Sequence, residues 1–500
     1  QKFFCGPESF TPDDRYQIGM TPELKNLFVA AGLNSIGIQS AGGIGKVIAE
    51  WIRDGHPPSD LASVDVRRNM PFQSNPNYLH DRVKETLGLL YDVHWPFYQY
   101  KTARNVRKSP LHQFMKEERA CFGEAAGWER PSWFAPKGVE AKDLYTFGKQ
   151  NWFEFSAQEH QSVRENVGLL DLTAFAKFRV EGRDAEKELN LICSNNLAVT
   201  PGQWVYTQCL NDRGGIEADF TVTRVSSDVF LIITSGSSQV RDFSWLKSKI
   251  DPKAHCVITD ITSALAVIGI QGPKSRDLLQ GLTSVDLSNS AFPFRSSAEI
   301  DIGYAFVRAS RISYMGELGW ELYIPSEFSA NVYSIIKDSG KEYGLRPVGA
   351  YAMNSLRMEK KYCHWGHDIT DEETPLEAGL GFAINWEKRG GFLGLEALRR
   401  QKGTGLKKML VQFLLEDNKK FMYHNEPIYR DGVIAGYITS AMFGHTLGSS
   451  VGLGYVENKN GVDAQYIKSG FYQIEVGGEK VGAKVSLVSM YDPKNERLKS

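Results

Sequence analysis

Leu210-Asn211-Asp212-Arg213-Gly214-Gly215-Ile216-Glu217-Ala218-Asp219 puts a turn with paired glycines just before an acid, and the alternation after it reads as a strand that the acid opens. Phe220 and Val222 should point one way, Thr221 and Thr223 the other. Glycine supplies positive φ at no steric cost, so Asp219 would be held on rigid backbone beside a turn that a flat ligand could approach closely. A fixed carboxylate of this kind can orient a reacting nitrogen or take its proton. Residue type alone leaves a second reading open, an aspartate that satisfies the amides of its own turn. Tyr206 lies on an expected strand before the turn, as a ligand wall or a core residue. Tyr314 and Glu321 flank a second glycine-bearing turn, Met315-Gly316-Glu317-Leu318-Gly319, where Glu317 could do no more than bond the turn. Arg357, in Ser355-Leu356-Arg357-Met358-Glu359-Lys360, suits a carboxylate, on a ligand or on a neighbouring acid.

The elements that must position these groups are legible in part. Five hundred residues exceed one core, so two to four domains are expected. A net charge of -1 gives no sign of a nucleic-acid groove or a polybasic membrane anchor, and the uncharged stretch Ile261 to Pro273 is too short to span a bilayer. Six cysteines without CxxC spacing suggest free thiols in a reducing compartment. Leu27 to Ala31 reads as a strand, Gly32 to Gly45 as a glycine-rich loop, and a helix follows on which Ile44, Val47, Ile48, Trp51 and Ile52 share a face. A strand, a glycine-rich loop and a helix N-terminus make an anion-friendly site, though glycines serve helix–sheet packing equally well. Residues 60–115 are aromatic and basic, but interleaved acids favour a packing segment over a nucleic-acid surface. From 120 to 400 strands and helices alternate: Val167 to Thr173, Lys177 to Gly182, a helix from Asp184, strands at Val229 to Ile233 and Ala264 to Pro273, and a helix from Lys274. The tail is β-rich, and Asp431-Gly432 between Glu426 to Arg430 and Val433 to Tyr437 signals a hairpin. His364 and His367 are three apart, but no third ligand stands out, and no metal is expected.

The order and spacing of these motifs resemble the folate-binding aminomethyltransferase, the T-protein of glycine cleavage, over most of residues 165–400. Gly6 to Asp13 and the loop after it are similar to the C-terminal end of the FAD domain in the dimethylglycine and sarcosine dehydrogenase family. The resemblance implies an α+β, multidomain chain: the end of a FAD-binding oxidoreductase domain (1–58), a central linker domain (59–117), a T-protein-like folate-binding domain (118–400) and a small C-terminal β-barrel (405–493). It implies the C-terminal part of a longer flavoenzyme, with the N-terminal FAD-binding half and its GxGxxG turn missing. FAD would bind only with that half, and Gly37, Gly42, Gly43 and Ile44 would be the remnant of its site.

For tetrahydrofolate the resemblance implies Asp219 as the essential aspartate, Tyr206 and Tyr314 as contacts, Glu321 on the pteridine edge and Arg357 from the Leu-Arg-x-Glu helix. The implied reaction is oxidation of a small N-methyl amine, with capture of the one-carbon unit as 5,10-methylenetetrahydrofolate. The implied place is the bacterial cytoplasm or the mitochondrial matrix. Ala218 stands where a second aspartate is usual, Thr223 where some T-proteins carry tyrosine, and Thr173-Ala174-Phe175 replaces a Ser-His-Met-like stretch, which puts the amine side of the T-protein reaction in doubt. Two alternatives stand beside it: a non-catalytic regulatory subunit of the pyruvate dehydrogenase phosphatase type, which shares the architecture, and a free-standing aminomethyltransferase, for which residues 1–58 would be unexplained.

Overall fold

The structure is a computed structural model that describes residues 2, 3 and 5–500. Near the N-terminus, β1 (Gln17–Met20) and β2 (Phe28–Ala31) pair antiparallel and α1 (Gly37–Asp54) packs on them. The buried Trp51 ring occupies the space that a side chain at Gly19 would need. The expected glycine-rich loop is corrected here, because α1 starts at Gly37, seven residues before Ile44. Glycine marks loops only statistically; with no proline in the stretch, Ser40 N–H bonds Ile36 C=O at 3.0 Å and closes the first turn. Gly42 and Gly43 therefore lie inside the helix on its exposed side, and of the four residues assigned to flavin only Gly37 stands at the helix N-terminus.

Four arginines of the aromatic and basic segment are tied into the protein, while Tyr91 stays exposed. Arg67 pairs with Asp65, Arg82 with Glu124 at 3.0 Å and Arg104 with Glu129, while Arg107 lies over the Trp128 ring. Helix α2 (His112–Glu117) then leads into the hairpin β3 (Ala120–Ala125) and β4 (Trp128–Phe134).

After α3 (Phe153–Glu165) come β5 (Val167–Asp171), β6 (Ala176–Glu181), α4 (Ala185–Ile192), β7 (Gln203–Leu210), β8 (Ile216–Arg224) and β9 (Val229–Thr234). Then follow α5 (Gln239–Lys249), β10 (Val257–Asp260), β11 (Leu265–Gln271), β12 (Ser297–Ile302), β13 (Ala305–Ser310), β14 (Gly319–Pro325), β15 (Leu345–Pro347) and α6 (Ala350–Glu359). They build a five-stranded sheet, β10-β6-β9-β8-β7, and a six-stranded sheet, β12-β13-β14-β11-β5-β15. Alternation divides each sheet into two faces. On the five-stranded sheet Phe178, Val205, Cys209, Ala218, Phe220 and Ile232 form a core under α4 and α5. On the six-stranded sheet Leu169, Ile268, Ile270, Trp320 and Leu322 form another. The remaining faces meet, where Leu231 and Ile233 of one sheet join Leu170, Val267 and Tyr323 of the other in one apolar cluster.

The C-terminal part closes into a barrel of β16 (Leu406–Leu415), β17 (Pro427–Arg430), β18 (Val433–Gly444), β19 (Ser449–Val462), β20 (Tyr472–Val476) and β21 (Glu479–Ser486), in the order β16-β19-β18-β17-β20-β21. The Asp-Gly hairpin stands as expected: Arg430 pairs with Val433, and Asp431 and Gly432 both have positive φ, at 51° and 84°. No helix among the described residues is long and apolar enough to cross a membrane; residues 432–456, a longer run without Asp, Glu, Lys or Arg, fold into β18 and β19.

Candidate functional site

The Asn211-to-Gly215 turn connects β7 to β8. Asn211 holds it, its side-chain oxygen accepting from Arg213 N–H at 3.0 Å and from Gly215 N–H at 2.9 Å. The paired glycines do not open a path for a ligand, which corrects the sequence reading. A Cβ at Gly215 would meet the Asp371 carbonyl oxygen, and one at Gly214 would meet Leu398 and Ala397. The room is taken by protein.

Asp219 lies within β8 rather than opening it. Its partner across β7 is Gln208, and the Gln208 amide donates to the carboxylate at 3.0 Å. Trp204, Tyr206 and Gln208 on β7, with Asp219 and Thr221 on β8, share the face turned to the other sheet. Burial raises the Asp219 pKa to about 6, against the lowering effect of its bonds to Gln208 and Tyr206. The carboxyl is thus poised to exchange a proton near neutral pH. Tyr206 is itself pushed well up by burial and then by the Asp219 charge, and Tyr314 adds to the effect. Tyr314 donates to the Cys363 carbonyl at 2.8 Å and stacks on Tyr362 with ring centroids 6.0 Å apart. The structure thereby brings Asp219, Tyr206 and Tyr314 together.

Glu321 stands on β14 of the facing sheet, in the row Leu170–Gly269–Glu321–Ser310, and turns toward the same inter-sheet space as Tyr323. Burial raises its pKa to about 7, and the Tyr323 hydroxyl donates to it at 2.6 Å. No hydrogen bond ties Glu321 to Asp219 or the two tyrosines among the described residues.

Arg357 resolves toward the neighbouring-acid alternative. Its guanidinium donates to Asp368 at 2.8 Å, to Asn354 at 2.7 Å and to the Tyr362 carbonyl at 3.1 Å. Asp368 also receives Thr439 at 2.6 Å and Ser440 of β18, so the pair ties α6 to the barrel. Glu317 does more than bond its turn: Arg164 at 2.9 Å and Arg497 at 2.7 Å pair with it, and Tyr491 donates to it. His364 and His367 lie with rings 4.9 Å apart, and among the described residues no group of three or more His, Cys, Asp or Glu could hold a metal.

Of the departures from the T-protein pattern, Ala218 packs in the helix-covered core, on the side away from Asp219. Thr173 accepts from the Val267 N–H at 3.1 Å and joins β11 to the loop after β5.

Sequence reasoning missed Gln208. It is fully buried, and with its amide nitrogen committed to Asp219 its Oε1 has no partner among the described residues. A buried acceptor left open costs about 1–3 kcal/mol, which a donor on a ligand would recover. Counting two residues on from Tyr206 would have put Gln208 on the ligand-facing side. The open oxygen beside the acid and the two tyrosines fits an edge-on nitrogen donor such as a reduced pterin carries.

Residues 111–388 match the family model "GCVT N-terminal domain", residues 408–492 "Glycine cleavage T-protein C-terminal barrel domain" and residues 54–109 "FAD dependent oxidoreductase central domain". The chain is 43% identical to 4-methylaminobutanoate oxidase (formaldehyde-forming) of Paenarthrobacter nicotinovorans, over 100% of this chain and 60% of that protein. It is 35% identical to human mitochondrial sarcosine dehydrogenase, over 99% of this chain and 58% of that protein. An aminomethyltransferase of Caldanaerobacter subterraneus is 32% identical over 71% of this chain and 89% of its own length. The chain thus spans only about 60% of the longer relatives. In fold it resembles the glycine cleavage aminomethyltransferase T of Bartonella henselae, with a TM-score of 0.64 at 24% identity, covering 77% of this chain and 98% of that one.

Proposed function

Because this chain belongs to the glycine cleavage T-protein family and carries the central domain of a FAD-dependent oxidoreductase, we propose that it serves one-carbon capture in a flavin-dependent N-methyl amine dehydrogenase. Its T-protein region binds tetrahydrofolate between the two sheets. When bound, tetrahydrofolate supplies the nitrogens that accept the one-carbon unit, to give 5,10-methylenetetrahydrofolate.

The observation that carries this reading is the Asp219 cluster: a carboxyl with its pKa near 6, Tyr206 against it, Tyr314 close enough to feel its charge, and the open Gln208 oxygen. Asp219 takes or returns the proton at the reacting nitrogen, and Gln208 fixes the carboxylate's orientation while its oxygen accepts from a ligand N–H. Tyr206 and Tyr314 wall the ring, and Glu321 receives the pterin edge from the facing sheet. Arg357 keeps Asp368 and holds the barrel beside the site. Gly37 offers the start of α1 to flavin, whose remaining site would come from residues outside this chain. Relatives named as mitochondrial and a bacterial relative support the mitochondrial matrix or the bacterial cytoplasm as its place.

Fluorescence titration of the chain with tetrahydrofolate tests the reading: saturable binding that Asp219→Asn retains and Tyr206→Ala weakens is expected. A chain that binds no reduced folate would instead act as its relative named the pyruvate dehydrogenase phosphatase regulatory subunit, 34% identical over 96% of this chain.

A further inference from the structure

Away from the Asp219 face, a cleft of about 950 Å³ opens between residues 99–105, α2, β3 and residues 140–145. Lys101, Lys116, Arg119 and Lys142 line it, and none has a carboxylate within 4.0 Å among the described residues. Of the acids along the same walls, Glu129 is neutralised by Arg104 at 2.8 Å and bonded by the Asn105 N–H at 2.6 Å. Asp143 accepts from two neutral donors, the Trp133 indole at 2.8 Å and the Tyr351 hydroxyl at 3.2 Å. Among the described residues Asp143 and Glu140 thus stand against four cations, an excess of two positive charges.

Two further observations point to a ligand. His112, on the cleft wall, is buried and its Nδ1 has no partner among the described residues. Burial first, and then Lys108, lower its pKa. Arg119 follows the end of α2 with φ of 66°, the left-handed position that glycine fills without steric cost. Its guanidinium donates only to the Ala135 and Val139 carbonyls, so its charge remains unanswered.

We propose that this cleft is a second binding site, for a small organic oligoanion with two or more carboxylate or phosphate groups that bridge Lys116, Arg119 and Lys142. Its volume lies within the range of pockets that hold drug-sized ligands. The proposal is independent of folate binding between the sheets.

Calorimetric titration of the 500-residue chain with tripolyphosphate and, separately, with an oligo-γ-glutamate tests it. At least one probe binds saturably at low salt and more weakly at high salt, and which of them binds more tightly assigns the anionic group. Arg119→Gly removes a cation and relaxes the backbone, so it should weaken binding about tenfold or more while the unfolding midpoint holds or rises. A Lys116→Glu/Lys142→Glu double variant should weaken it further. Absence of binding by both probes at low salt, or unchanged affinity in folded Arg119→Gly and in the double variant, overturns the site.

Discussion

Arg357 and Asp219 lie in the same region of the T-protein fold, both inside the protein and both beside Tyr314, yet their surroundings are completed to different degrees. At Arg357 the guanidinium has Asp368, Asn354 and a backbone carbonyl, and Asp368 in turn has two hydroxyls from the barrel and an amide. At Asp219 only Gln208 and Tyr206 bond the acid among the described residues, burial holds its pKa near 6, and the Gln208 oxygen is left open. A saturated network fixes domains against each other; an unsaturated one keeps hydrogen-bonding capacity for something that comes and goes. The arginine that chemistry alone would send to a ligand's tail is thereby occupied, and an unremarked glutamine carries the unused acceptor beside the acid.

The comparison breaks most decisively at the saturated end. Arg357→Ala leaves Asp368 charged and buried without its cation, and chemical denaturation should show a loss of about 3–5 kcal/mol. If the variant kept its stability and lost only folate affinity, the division between the two clusters would be wrong. At the open end, Asp219→Asn should leave folding and folate binding close to wild type while methylene-folate formation falls about 10²–10⁴-fold, the range for removal of a positioned proton-transfer group. Equal yield from the variant removes Asp219 from the chemistry.

Gln208→Leu sharpens the contrast. It removes an open acceptor and also the amide that donates to the buried Asp219 carboxyl, so the free protein should lose about 1–3 kcal/mol while the tetrahydrofolate dissociation constant rises about fivefold to tenfold. The smallest effect is on pH. A base with a pKa near 6 works as the carboxylate, so transfer should decline as pH falls through about 6, and Asp219→Asn should flatten that limb. The sign for stability is opposite. The folded state binds the Asp219 proton more tightly than the unfolded chain, so this group's contribution is fullest at low pH and is lost as pH rises from about 4 to about 6.

Legibility in the sequence followed the range of the interactions concerned. The strands around Asp219 and the Asp431-Gly432 hairpin rest on alternation and local turn chemistry, and both were readable. The start of helix α1 is hidden in the sequence because four glycines, Gly37, Gly42, Gly43 and Gly45, outweigh an unbroken helical register. The partner of Arg357 could not be read, since Asp368 reaches it only through a loop anchored on the barrel. Gln208 was within reach of a two-residue count but has a type that announces no chemistry.

The β7–β8 turn carries a lesson for anyone who compares relatives of this chain. Alanine at 215 would place its methyl 1.8 Å from the Asp371 oxygen, a collision with backbone that cannot swing aside. Selection would reject such a chain for failing to assemble, whether or not it ever met a folate. Persistence of that glycine across a set of descendants would testify to the seating of the 371 loop, and a degenerate, inactive descendant should retain it long after the acid four positions on has drifted.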